Sequence, residues 1–287
     1  MIPGQLRISR RSIGVAAALA GTVSLAIGAH AALSMRALDA AKAVATEQAT
    51  ESVRKGSRIA LVIGNGHYPD ANEALAQPIN DARALTGALR RDGFDVDVVE
   101  DASKDDMTRA IERLKSKIRS DSVVMLFFGG YGVQVGRESY MIPVDAAIWK
   151  ESDVRREGLS IESVLGVMKA QGARAKLAVI DASRRNPFER RFRAFSHGLA
   201  PINAPDNALI LSSATPGKIV DDSSGQNSVL IGELLNHLTA KPLGAEAAFN
   251  KTRVAISRAS DGEQVPSVSS SLLEEVHFGT ADENAGS

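Results

Sequence analysis

The chain predicts an α/β fold in which a mainly parallel central sheet carries helices on both faces. Three observations lead there. Short apolar, β-branched runs alternate with longer segments whose apolar residues recur at helical spacing. Several of the short runs are apolar at every position, the pattern of strands buried on both faces. Those runs end in glycines or polar loop residues, where parallel sheets present their chemistry.

The elements follow in order. "RIALVIGNGHY" opens with a buried strand from Arg58 to Ile63, and the turn signal Gly64-Asn65-Gly66 ends it. "NDARALTGALRRDGF" has helical spacing and stops at Gly93. "FDVDVVE" alternates as a strand does. "SKDDMTRAIERLKSKIRS" begins with a Ser cap and acids and finishes basic, matching a helix dipole. Val123 to Phe128 is the next buried strand and runs into "GGYG"; "VQVGRESYMIPV" reads as a hairpin around Gly136. A helix near Ile161 to Gln171 precedes a strand from Leu177 to Ile180. "ALILSSA" is a further strand from Ala208, "NSVLIGELLNHLT" and "AEAAFNKTRVAISRAS" are two more helices, and "EEVHF" reads as a closing edge strand. Three loops therefore meet at the C-terminal edge of the sheet: 64–81, 129–132 and 181–193.

Around this domain, 58–279, lie other kinds of sequence. Arg7, Arg10 and Arg11 precede the apolar run "SIGVAAALAGTVSLAIGAHAALS". A basic start, an apolar middle and the small residues Ala29 to Ala31 fit an export signal over 1–31, and "SRRSIGV" resembles the twin-arginine address. The run is also long enough to serve as a membrane anchor through 12–32. Both readings place the domain in the periplasm or outside the cell. Residues 32–57 are Ala-rich and charged, a stalk or linker, and 280–287 read as a disordered tail.

Composition excludes several classes. With 34 basic and 34 acidic residues the net charge is zero, so nothing recommends nucleic acid as a partner. The absence of cysteine removes disulfides, thiolate metal sites and a cysteine nucleophile together. "GNG" does not extend to a phosphate-binding glycine spacing, so nucleotide binding is not indicated.

In "KLAVIDASRRNPF" a buried strand delivers Asp181 and Ser183 to the sheet edge, a place where α/β enzymes carry a nucleophile. Five blocks then resemble, in order and spacing, the caspase-like peptidase domain of bacterial metacaspase relatives: "RIALVIGNGHY…PINDARALTGALRRDGFDV", "VVMLFFGGYGVQVGRESYMIPVDA", "LAVIDASRRNPF", "APDNALILSSATPGKIV…GQNSVLIGELLNHL" and "QVPSVSSSL". The resemblance implies a caspase-like three-layer sandwich. It also implies that Tyr131 stands at the family's histidine and Ser183 at its cysteine. A phenol that ionises near pH 10 is a poor base, and a serine hydroxyl needs a good one. The expectation is therefore a pseudopeptidase that binds or regulates; the alternative is an active endopeptidase cleaving after basic residues with Ser183 as nucleophile.

His67, His197 and Lys218 are the candidate substitute bases, each equally readable as a solvated loop residue. Asp81 and Asp181 match, by resemblance, the acidic pair of the family's first specificity pocket, implying a peptide or protein partner with Arg or Lys side chains. The plain alternative is that Asp81 caps its helix and Asp181 holds loop backbone. "SRRNPFERRFR" is either a solvated run or a strap, Arg184 to Arg193, that folds back, docks an arginine into the Asp81/Asp181 pocket and occludes the site in cis. Asp145 and Asp153 have no evident partner. No cofactor or metal site is indicated; calcium enters only as a trait of some relatives.

Overall fold

The computed structural model describes residues 57–70, 74–192, 197–220, 225–240 and 243–278. The export or anchor segment, the stalk and the tail lie outside the described residues. Among the described residues, no helix is long and apolar enough to cross a membrane.

A six-stranded sheet forms the centre. Its strands are β1 (Arg58–Gly64), β2 (Asp95–Glu100), β3 (Val123–Gly129), β7 (Ala175–Asp181), β8 (Ala208–Ser212) and β10 (Ser267–Ser270), and their spatial order is β10-β8-β7-β3-β1-β2. Between β3 and β7 a small antiparallel sheet joins β4 (Gly132–Val135), β5 (Glu138–Met141) and β6 (Leu159–Ser160). The hairpin expected around Gly136 is β4 with β5. All main-sheet pairings are parallel except that of β10 with β8.

Helices α1 (Pro78–Arg91), α2 (Lys104–Lys117), α3 (Glu151–Glu157), α4 (Ile161–Ala170), α5 (Val229–Ala240) and α6 (Ala245–Ala259) complete the chain. Ala82, Leu85 and Leu89 of α1 join residues of α5 and α6 in one apolar layer under the sheet. Met107, Ala110, Ile111 and Leu114 of α2 join Ile161, Val164, Leu165 and Met168 of α4 in the opposite layer. The strands are buried at nearly every position because alternate residues feed opposite layers: Phe127 belongs to the first, Phe128 to the second. That is the physical reason for their unbroken apolar runs.

One expectation needs correction at the C-terminal end. "EEVHF" does not close the main sheet: its His277–Phe278 strand, β11, pairs with β9 (Leu243–Gly244) in a separate two-stranded sheet. The edge is instead the serine-rich β10, a sequence of weak strand propensity, whose Val268 packs against the first layer. The helix α3 was also unforeseen; Asp153 holds its start by accepting from the Trp149 and Lys150 N–H groups, both at 3.1 Å. Asp145 likewise has a partner, the Lys104 N–H at the start of α2, 2.8 Å away.

Candidate functional site

Register places the site. Gly64 of β1 is level with Gly129 of β3, and Gly129 with Asp181 of β7. Tyr131 and Ser183 thus lie two residues beyond matched positions on neighbouring strands. Two cross-bonds tie these extensions: Gly130 N–H donates to the Asp181 carbonyl (3.2 Å) and Gly132 N–H to that of Ala182 (3.1 Å). The loops that carry Tyr131 and Ser183 are therefore held side by side at the centre of the sheet edge.

The "GGYG" loop is tight. A Cβ on Gly130 would meet the Tyr68 hydroxyl at 2.5 Å, and one on Gly132 would meet Leu199 at 2.6 Å and the Ala182 carbonyl at 2.8 Å. The Tyr68 hydroxyl accepts from the Tyr131 N–H (3.1 Å) and donates to the Ile142 carbonyl (3.0 Å). Its ring meets that of Tyr131 edge-on, 4.8 Å between centroids. Burial raises the Tyr68 pKa, so this phenol stays protonated and keeps both bonds. Tyr131 itself is 8% exposed and belongs to a third apolar cluster above the sheet edge, with Tyr140, Ile142 and Phe188.

Ser183 is 2% exposed. Its N–H points to Ser213 Oγ at 3.4 Å, and its carbonyl accepts from the Val220 N–H at 2.7 Å. Of the three candidate bases, His67 turns away from it. His67 Nδ1 stands 2.6 Å from Asp101 Oδ2, beyond the end of β2, and two strands, β3 and β1, separate β7 from that edge. His197 and Lys218 are exposed.

The carboxylates sit below. Asp81 is fully buried and Asp181 is 4% exposed. Asp81 does not cap its own helix: Oδ1 accepts from Asn227 Nδ2 (2.9 Å) and the Ser228 N–H (3.0 Å), at the start of α5. Ser228 in turn caps α5, its Oγ accepting from the Ile231 N–H at 3.2 Å. Asp81 Oδ2 has no hydrogen-bond partner among the described residues. Burial, and then the charge of Asp181, push the Asp81 pKa up to about 6 against the pull of its Asn227 and Ser228 bonds.

Asp181 has a cation of its own. Arg184, 6% exposed, turns back so that Nη2 is 3.5 Å from Asp181 Oδ2. Its Nη1 donates to the Gly130 carbonyl at 3.1 Å and to the Asp181 carbonyl. The strap after β7 therefore does dock an arginine, onto Asp181. Farther along, Arg191 lies over the Trp149 ring at 4.7 Å and pairs with Asp70 at 3.1 Å, tying the strap to two other loops.

Sequence reading missed the partners of this site. Asn227 and Ser228 were visible as polar residues before an apolar run, a helix-start signal, but nothing local pairs them with Asp81, 146 and 147 positions away.

Residues 57–277 match the caspase domain family. The chain belongs to that family. A curated relative is mucosa-associated lymphoid tissue lymphoma translocation protein 1 of Homo sapiens, 27% identical over 145 residues, which is 50% of this chain and 17% of the relative. Its Mus musculus homolog matches to the same extent. The chain thus spans about a sixth of the length of these relatives. The mostly parallel six-stranded sheet between helical layers is the caspase-like sandwich that the five sequence blocks implied. Among the described residues of the caspase domain, no three His, Asp or Glu side chains converge to hold a metal ion.

Proposed function

We propose that this caspase domain is a pseudopeptidase, a binding or regulatory module that keeps an acidic pocket for Arg or Lys side chains. The observation that carries the reading is that Tyr131, whose loop is cross-bonded to that of Ser183, is packed edge-on against Tyr68 in an apolar cluster. A serine nucleophile needs a neighbouring group that takes its proton, and a neutral phenol does not do so near pH 7. Of the histidines near this edge, His67 is engaged with Asp101.

The backbone adds support. Acyl transfer needs N–H donors for the developing oxyanion. The Ser183 N–H is directed to Ser213 and the Gly132 N–H to Ala182. Engaged donors do not stabilise a charge that forms elsewhere. The partner in this reading is a peptide or protein with basic side chains, met in the periplasm or outside the cell after export through the N-terminal segment.

The test is a peptidase assay on Arg- and Lys-ending peptides, comparing the parent with its Tyr131→His, Ser183→Cys double variant. No turnover is expected from the parent. Parent turnover that disappears in Ser183→Ala, or labelling of Ser183 by a serine-reactive phosphonate, would overturn the reading. The pocket is tested separately. An arginine peptide should bind the parent and bind more weakly to Asp81→Ala, and absence of any binding removes this part.

A further inference from the structure

Residues 184–192, the described part of the strap after Ser183, are held to the molecule by side chains. Among the described residues, the backbone hydrogen bonds of 186–192 close within the strap itself. The Glu189 N–H donates to the Asn186 carbonyl (3.2 Å), the Arg191 N–H to that of Phe188 (2.9 Å) and the Phe192 N–H to that of Glu189 (3.0 Å). Asn186 adds a side-chain turn of the same local kind, its Oδ1 accepting from the Phe188 N–H at 2.9 Å. A segment with no ladder to break can swing away as a unit.

The anchors of the strap differ in kind. At its base Arg184 donates to the Gly130 and Asp181 carbonyls. In its middle Phe188, 1% exposed, enters the apolar cluster that holds Tyr68 and Tyr131, and Phe192 joins it there. At its far end Arg191 binds Asp70 at 3.1 Å and the Ile148 carbonyl. The same guanidinium lies over two rings, that of Trp149 at 4.7 Å and that of Phe188 at 5.5 Å. The Arg191 and Asp70 side chains are 29% and 43% exposed, so their attraction is weak and screened by salt. Burial of Phe188 is the strong, uncharged anchor, and Arg191 is the weak, charged one stacked upon it.

The far end of the strap also reaches Tyr131 by a short path. The Tyr68 hydroxyl accepts from the Tyr131 N–H, and only Pro69, with its fixed φ, separates Tyr68 from Asp70. On the other side of Tyr68, His67 is held by Asp101. Releasing Asp70 therefore frees one end of the segment that seats Tyr131.

We propose that 184–192 is an autoinhibitory strap closed over the sheet edge and latched by Arg191. Release of Arg191 from Asp70 and Trp149 lets Phe188 leave its cluster and uncovers Ser183. Closed, the strap leaves Tyr131 8% and Ser183 2% exposed. The proposal concerns access to the edge and holds whether or not the acid pair binds basic side chains.

The experiment uses the full chain, whose lack of cysteine makes the thiol of Ser183→Cys unique. Its labelling by a maleimide without denaturant should be slow with the latch intact, and about fivefold faster once Arg191→Met is added. Methionine keeps an apolar stem beside the rings and removes the charge. Raising salt from about 0.05 M to about 0.5 M should also speed labelling of Ser183→Cys, and should lose that effect once Asp70→Asn is added. Equal labelling with and without Arg191→Met would overturn the gate. Hydrogen exchange of Arg191→Met, read by mass spectrometry, should accelerate in the strap and at the Tyr131 N–H together, with α2 (Lys104–Lys117) unchanged. Faster exchange throughout the domain would show general destabilisation instead of a released latch and overturn the proposal. A faster strap with an unchanged Tyr131 N–H would overturn the link through Pro69.

Discussion

Asp81 shows how one side chain can be legible in type and illegible in task. Its place in "PINDAR" marked it as a binding acid or a helix cap, and the cap it supports belongs to a different helix, α5. The consequence is measurable. Folded Asp81 holds its proton to about pH 6, whereas an unfolded aspartate releases it near pH 4. Between those values the folded state binds more protons than the unfolded one. This contribution to stability is therefore full at low pH, falls as pH rises through the window, and is flat above it. Two pH units amount to about 2–3 kcal/mol. Asn at this position keeps an acceptor for Asn227 and Ser228 without the buried charge. Urea denaturation should find Asp81→Asn more stable than the parent by about 1–3 kcal/mol at pH 8, with the gain gone at pH 4. A less stable variant at pH 8 would show that the ionised form is better compensated than its bonds indicate. Tyr131 and Ser183 were legible for a different reason: both directly follow strong strand signals, and two neighbouring strands in register must carry them to the same edge.

Among the elements, those with a strong period or a local start signal matched expectation, and those made by distant contacts did not. The helix after Ser103 is the clearest case. Ser103 Oγ accepts from the Asp106 N–H and Asp106 Oδ2 accepts from the Ser103 N–H, both at 3.2 Å, a capping box readable from "SKDD". Ser103→Ala should cost about 1 kcal/mol in urea denaturation at pH 7. A loss below a few tenths of a kcal/mol would mean that tertiary packing alone holds this helix start. Strand β10 is the opposite case. "SVSS" has almost no intrinsic preference for a strand, and it forms one because β8 offers a free edge and Val268 finds the apolar layer. "EEVHF" looked the stronger strand, yet only His277–Phe278 pairs, and β9 rather than the main sheet takes it. Which edge a strand joins depends on where the intervening helix α6 returns the chain, and no local pattern encodes that.

For the whole molecule, the sheet divides the apolar interior into two layers that share backbone but not side chains. Ile63 lies in the layer of α2 and α4, and Ile231 in the layer of α1, α5 and α6. Each Ile→Val change should cost about 0.5–1.5 kcal/mol. The double variant should lose the sum within about 0.5 kcal/mol, because the two sites share no partners. A clear departure from additivity, read from urea midpoints at constant slope, would show that the layers communicate through the sheet.

The alternation of helices and doubly buried strands, their order, and the identity of the residues delivered to the C-terminal edge could be read without coordinates, because side-chain period and burial are local consequences of backbone geometry. The five sequence blocks also pointed to the caspase-like sandwich, and the family match over 57–277 agrees. What only the folded chain decided is who stands beside whom at that edge. Arg184 turns onto Asp181, His67 goes to Asp101, and Asn227 with Ser228 holds Asp81. The first is a turn of three residues within one loop, whereas the other two join loops 34 and 146–147 positions apart, and the sheet order, not any local preference, sets the distance between those.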